Sequence, residues 1–161
     1  MLSHEVTTGE ETWFTPREIL DPLGPFDLDP CTSELRPFST AREHWTRPDN
    51  GLGRPWYGRV WCNPPYGNKL AAWLERCARH GNAIALVFAR TETGAFRDFV
   101  WPYASGLLFL DGRIRFIASD GSQASTGIAP SVLISYGSEN AEALRRSSIA
   151  GAFVVPVSRC S

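Results

Sequence analysis

The chain carries almost no excess charge: 16 Lys and Arg face 17 Asp and Glu, for a formal net charge of −1 at pH 7. No global positive field is therefore available to draw in a polyanion, and any such site must be a local patch. Cysteine is sparse. Cys31, Cys62, Cys77 and Cys160 lie far apart with no CxxC or Cys/His ligand spacing, which argues against a zinc site or a disulfide framework and for reduced thiols in a cytosolic compartment. No apolar run approaches the ~18 residues a membrane span needs, and the polar stretch from Met1 to Glu11 lacks the character of a signal peptide. Internal repeats are missing too. At 161 residues and 43% hydrophobic, there is enough chain for one core and too little for two, so a separate target-recognition domain is not expected. The expected division is a flexible arm over residues 1–12 and a single domain over 13–161.

Chemistry concentrates in Trp61-Cys62-Asn63-Pro64-Pro65-Tyr66. Val60-Trp61-Cys62 reads as the end of a buried strand that delivers an amide, two prolines and an aromatic ring into a loop. Each proline fixes its own φ, removes a donor and restricts the residue before it, so the loop is stiff. The Asn63 side-chain oxygen and the Pro64 carbonyl are placed to take the two N–H groups of a planar exocyclic amine, with Tyr66 stacking on its ring. Turn punctuation with a rim aromatic is the competing account, and the four residues alone do not separate the two.

Around this corner the pattern alternates. Trp13-Phe14-Thr15-Pro16-Arg17-Glu18-Ile19-Leu20 predicts a helix start, with Thr15 as N-cap, Pro16 at the first position and Glu18 closing a capping box. Its N-terminus also offers free N–H groups to a ligand carboxylate. Phe26-Asp27-Leu28-Asp29-Pro30-Cys31 predicts a short strand ending in acid, and Asp29 is the candidate to meet a ligand ammonium or hydroxyl. Residues 32–57 are irregular, with a turn at Asp49-Asn50-Gly51-Leu52. Arg36, Arg42, Arg47, Arg54 and Arg59 are interleaved there with Phe38, Trp45, Trp56 and Tyr57, a weak nucleic-acid footprint. An amphipathic helix is predicted from Gly67 to His80, a doubly covered strand over Ala83–Ala89, and a helix from Gly94 to Tyr103. Gly106–Leu110 and Ile114–Ile117 predict a hairpin about Asp111-Gly112, followed by a mobile loop over 118–129. A strand at Ser131–Tyr136, a helix at Glu139–Arg146 and a strand at Phe153–Val157 complete a three-layer α/β domain, mostly parallel with an antiparallel hairpin near its C-terminal edge.

The Asn-Pro-Pro-Tyr quartet matches the signature of amino-methyltransferases. With the blocks Trp13-Phe14-Thr15-Pro16, Phe26 to Cys31, Asp49 to Leu52, Ala89-Arg90-Thr91-Glu92-Thr93, Gly112 to Phe116 and Ala129-Pro130-Ser131 in order, the chain resembles the small phage-type DNA N-6-adenine methyltransferases from Trp13 to about Tyr136. The resemblance implies a Rossmann-like methyltransferase sheet, S-adenosylmethionine as donor and adenine in DNA as acceptor. It also implies a cytoplasmic protein of phage or prophage origin that needs no metal and meets DNA through Arg/aromatic loops. By the same likeness Trp13, Thr15 and Pro16 lie near the methionine end of the cofactor, and Asp29, Pro30 and Cys31 line its methionine and ribose region. Asp49 would lie near its adenine, Asn63 would face the cofactor, and Asn63, Pro64, Pro65 and Tyr66 would hold the target base and form the catalytic corner. Most S-adenosylmethionine enzymes carry a glycine-rich loop after the first strand. Cys31-Thr32-Ser33-Glu34 has no glycine, an abbreviation the phage-type relatives resemble. Cytosine's 4-amino group, RNA adenine, a protein glutamine amide, and an inactive nucleic-acid binder remain the alternatives.

Overall fold

The computed structural model describes residues 12–157 and residue 160; the arm expected over 1–12 falls, apart from Thr12, outside them. In chain order the elements are α1 (Arg17–Leu20), β1 (Leu28–Asp29), β2 (Glu43–His44), β3 (Val60–Cys62), α2 (Leu70–His80) and β4 (Ala83–Phe88). A π-helical turn (Phe96–Val100) then leads to β5 (Gly106–Leu110), β6 (Arg115–Ile117), β7 (Gln123–Thr126), β8 (Ser131–Tyr136), α3 (Ser138–Arg146) and β9 (Gly151–Val154). The main sheet runs β2-β1-β3-β4-β8-β5-β9. Its first four strands are mutually parallel, and β8, β5 and β9 are joined by antiparallel pairing. The fold is thus α/β with a mixed seven-stranded sheet and a separate two-stranded antiparallel ribbon.

Burial explains this layering. In β4, Ala83, Ala85 and Val87 join one core cluster with Trp73, Leu74 and Cys77 of α2, while Ile84 and Leu86 join another with Ile19, Leu20 and Leu144 of α1 and α3. A strand covered on both faces is what its unbroken apolar run predicts. Helix α2 ends as its sequence requires, at Gly81 with φ 72°, whose N–H bonds the Cys77 carbonyl at 3.0 Å.

Three expectations are corrected. Thr15 does not cap α1: Pro16 holds that place, no side chain caps the turn, and four residues of helix make a weak dipole. The hairpin between 106–110 and 114–117 does not form, because β5 takes partners on both sides, β8 and β9. Leu107 and Leu108 are buried on opposite faces of the sheet, which suits a central strand better than a hairpin arm. The segment expected to be a mobile loop instead supplies β7, which pairs with β6. A tight turn joins them, with Gly121 at φ 82° and the Ser122 N–H on Asp120 Oδ1 at 2.8 Å.

The amino edge of the parallel strands is closed by polar bonds. Arg59 donates from Nε to Asn140 Oδ1 at 2.6 Å, from Nη1 to the Pro25 carbonyl at 3.0 Å, and to the Leu23 carbonyl. Asn140, fully buried, donates in turn to Asn82 Oδ1 and to the Tyr136 carbonyl, each at 2.9 Å. Asn140→Ala would leave a guanidinium N–H and a carbonyl unpaired, and should cost about 3 kcal/mol in urea unfolding. A loss under about 0.5 kcal/mol would show that water replaces the amide at no cost.

Candidate active site at the carboxyl edge

Because β1, β2, β3 and β4 are parallel, their carboxyl ends open on one edge, which β8 enters with its amino end. From β1 the chain goes outward to β2 and then returns past β1 to β3. The crevice between the ends of β1 and β3 is therefore a topological switch point, the position at which open α/β sheets receive ligands.

Asp29, at the end of β1, is 4% exposed. It accepts bonds from the Thr40 hydroxyl and from the Cys31 N–H at 3.3 Å, and no cation is in ion-pair contact with it among the described residues. Burial pushes its carboxyl up to about 6, against the bonds from Thr40 and Cys31 and the field of Arg36, which pull it down. One strand over, Asn63 follows β3. Cys31 Sγ lies 3.5 Å from the Asn63 carbonyl and 3.8 Å from Cys62 Sγ, so the acid loop and the amide corner touch. Burial pushes the Cys62 thiol up, and it stays an uncharged neighbour. The Asn63 side chain donates from Nδ2 to Thr15 Oγ1 at 3.2 Å. Among the described residues nothing donates to its Oδ1.

Pro64 is buried while Pro65 and Tyr66 are exposed, so the corner faces solvent. The Tyr66 ring lies parallel to Phe88 at the end of β4, with centroids 4.2 Å apart and planes 7° apart. No base fits between rings that close, and at 43% exposed Tyr66 offers its outward face. Across from Phe88 in the ladder stands Ser131, whose Oγ is buried without a partner.

The remaining candidates take varied positions. Gly51 sits so close to the acid loop that a Cβ there would be 2.0 Å from the Pro30 carbonyl oxygen. The close backbone approach absent from residues 31–34 is thus made from the Asp49-Asn50-Gly51-Leu52 turn. The carboxylate of Asp49 is already occupied, taking the Thr46 N–H at 2.8 Å and Arg54 at 3.5 Å. Trp13 packs edge-on against Phe116 at 5.7 Å, and Pro16 is buried beside Thr15.

Part of the expected Arg/aromatic set is taken up inside the fold: Trp45 and Trp56 are core residues and Arg59 is tied into the amino edge, while Arg42 and Tyr57 are exposed and Arg54 lies over Trp45 at 4.3 Å. Thr40, Phe88 and the pairing of Thr15 with Asn63 were not foreseen; only Phe88, the last residue of an apolar strand, carried a signal. Depressions of about 310 and 260 Å³ lie along α2, lined by residues such as Glu75 and Arg79, and include none of residues 13–16, 29–31 or 63–66. Among the described residues no cluster of His, Cys, Asp or Glu could hold a metal, and no helix is long and apolar enough to cross a membrane.

Fold and site together define an α/β protein whose acceptor groups and one buried acid converge on the open edge of a parallel half-sheet. A family model described as DNA N-6-adenine-methyltransferase (Dam) matches residues 3–148, and the chain belongs to that family. At the family level the activity is methylation of adenine N6 in DNA. Comparisons with curated proteins and with solved structures each found no match.

The pH dependence of Asp29 has a definite sign. Its folded value of about 6 exceeds the ordinary 3.8, so the fold binds this proton more tightly than the unfolded chain does. Its contribution is full below pH 4 and is lost as pH rises through 6, a change of about 3 kcal/mol. Asp29→Asn should therefore be more stable than the parent at pH 7, with the gain shrinking towards pH 4. Urea unfolding at both pH values checks this, and a difference independent of pH would remove burial of charge as its cause.

Proposed function

We propose that the protein transfers a methyl group from S-adenosylmethionine to the exocyclic 6-amino group of adenine in DNA, acting in the cytoplasm of a bacterial host cell as one Rossmann-like domain over residues 13–161. One observation carries this reading. The solvent-facing Asn63-Pro64-Pro65-Tyr66 corner is in contact with the Asp29-Pro30-Cys31 loop at the switch point of the sheet. The contact runs from Cys31 Sγ to the Asn63 carbonyl at 3.5 Å, and it supports reading the corner as amine acceptor beside the loop that carries the cofactor acid.

The donor set suits the cofactor. Asp29 is a buried carboxyl with no ion-pair partner among the described residues, and an amino-acid ammonium is a counter-charge that suits it. Pro30 and Cys31 would line the same end, with Trp13 and Pro16 on the flank. When bound, S-adenosylmethionine supplies an electrophilic methyl group.

The chain's own residues then act on the amine. Its lone pair is delocalised into the ring, which makes it a poor nucleophile. Asn63 Oδ1 and the Pro64 carbonyl each accept one N–H, favour a tetrahedral nitrogen and stabilise the positive charge that develops there, so the chief contribution is electrostatic. Neither oxygen is a base, and the proton released after transfer passes to solvent. To arrive, the base must leave the stack at a cost of a few kcal/mol, and stacking on Tyr66 returns about 1–3 kcal/mol. Phe88 backs the ring and keeps its inner face dry.

Incubating the protein with labelled cofactor and plasmid, then resolving the nucleosides by mass spectrometry, tests the reading. N6-methyladenine is the expected product. Asn63→Ala should abolish turnover while leaving the affinity for S-adenosylhomocysteine nearly intact. A methylated cytosine would redirect the corner to another base, and full activity of the variant would take Asn63 out of the chemistry.

A further inference from the structure

We propose that Thr15 is a positioning residue for Asn63, its hydroxyl holding the amide with the oxygen turned toward the incoming amine. This rests on the reading of Asn63 as the amine's acceptor and assigns to Thr15 a role separate from touching the cofactor.

The hydroxyl is free for the task because the helix does not use it: Pro16 stands at the N-cap and no side chain caps the turn. Instead Thr15, 3% exposed, reaches across 48 positions of sequence to Asn63 Nδ2 at 3.2 Å. Its own backbone is held. The preceding residue, Phe14, exchanges two hydrogen bonds with Ile117, each 2.9 Å, and the following Pro16 restricts the backbone of Thr15.

An asparagine amide has two ends of nearly equal size and opposite function, one accepting and one donating. Pro64 stiffens the Asn63 backbone, and Cys31 Sγ contacts its carbonyl, but neither fixes rotation of the side-chain amide. Turned by half a circle, that amide would present N–H to the N–H groups of the substrate. A hydroxyl can accept or donate, so Thr15 can pair with either end; with the amine present only the oxygen-outward orientation, the one seen in the structure, satisfies both ends at once, Nδ2 on Thr15 and Oδ1 on the amine. Without the hydroxyl that orientation leaves a half-buried NH2 unpaired, and the productive geometry loses the bond that supports it.

The decisive comparison uses Thr15→Val, which keeps the shape and removes the oxygen, beside Thr15→Ser, which keeps the oxygen. Thr15→Val should lower kcat by about tenfold to a hundredfold. The dissociation constant of S-adenosylhomocysteine and the KM for DNA should stay within about threefold, and Thr15→Ser should restore kcat to within the same margin. In an Asn63→Asp background both outer atoms are acceptors and no wrong orientation exists, so there Thr15→Val should change kcat by less than about threefold.

A readout that needs no turnover keeps the two proposals apart. The Asn63 side-chain NH2 protons, assigned by their disappearance in Asn63→Ala, should exchange with solvent more slowly in the parent and in Thr15→Ser than in Thr15→Val. If the parent methylates nothing yet this protection is seen, the functional reading fails and the positioning stands. Unprotected NH2 protons in the parent, a Thr15→Val loss confined to cofactor affinity, or no rescue by serine would overturn the assignment.

Discussion

Everything at the carboxyl edge depends on the register of three short parallel strands, with Leu28 opposite Val60 and Val60 opposite Ala83. That alignment sets Cys62, the last residue of β3, opposite Ala85 and lets β4 run on to Phe88 beside the loop that follows β3, with the end of β1 on the same edge. The acid, the amide corner and the aromatic backing of Tyr66 therefore meet without any of them being adjacent in sequence. A slip of one residue would displace a strand end by about 3.3 Å and turn its side chains to the other face. Burial guards against this. Leu28, Val60 and Ala83 are all fully buried in one cluster, so a slipped strand would expose apolar surface to gain nothing.

The two edges of the parallel half-sheet are treated in opposite ways. At the amino edge, Asn140, Asn82 and Arg59 satisfy one another and nearby carbonyls, and Asp27 takes the Arg59 N–H at 2.7 Å. Polar groups there are closed and add stability. At the carboxyl edge, among the described residues, Asp29 is buried without an ion-pair partner, Ser131 Oγ is buried without a bond, and Asn63 keeps one acceptor open. Departures from satisfied packing tend to gather where a protein works, because stability is given up there for groups held ready for a ligand. An open edge lined by such groups fits a substrate that brings its own ring and its own hydrogen bonds.

Stiffness in this site comes from two sources of different range. Locally, Pro64 and Pro65 restrict the backbone after β3. At long range, the Phe14–Ile117 bridge, the Thr15–Asn63 bond and the Cys31–Asn63 contact tie three separate segments to that corner. The β6–β7 ribbon thereby shares in the geometry although it pairs with no strand of the main sheet. The Tyr66–Phe88 stack adds a fourth tie, from β4. On the proposed reading, preorganisation of this kind is what lets two weak acceptors act on a weak nucleophile.

What the sequence determined by itself was whatever rests on neighbours along the chain. The apolar run of β4 announced a doubly covered strand, the spacing of Leu70, Trp73, Leu74 and Cys77 with Gly81 announced α2 and its end, and Val60 to Tyr66 announced a buried strand running into a proline corner. Asp29 was legible as an acid at a strand's end for the same reason. Only the tertiary structure decided partners. It gave the Thr15 hydroxyl to Asn63 instead of to a helix, placed Thr40 on Asp29 and Phe88 under Tyr66, brought Gly51 rather than a local glycine against Pro30, and sent β5 to β8 and β9 instead of to β6. Periodicity states which face of a segment is buried but not what lies against it. Those pairings are set by whole-sheet register and by competition for buried hydrogen-bonding groups, which no window of sequence contains.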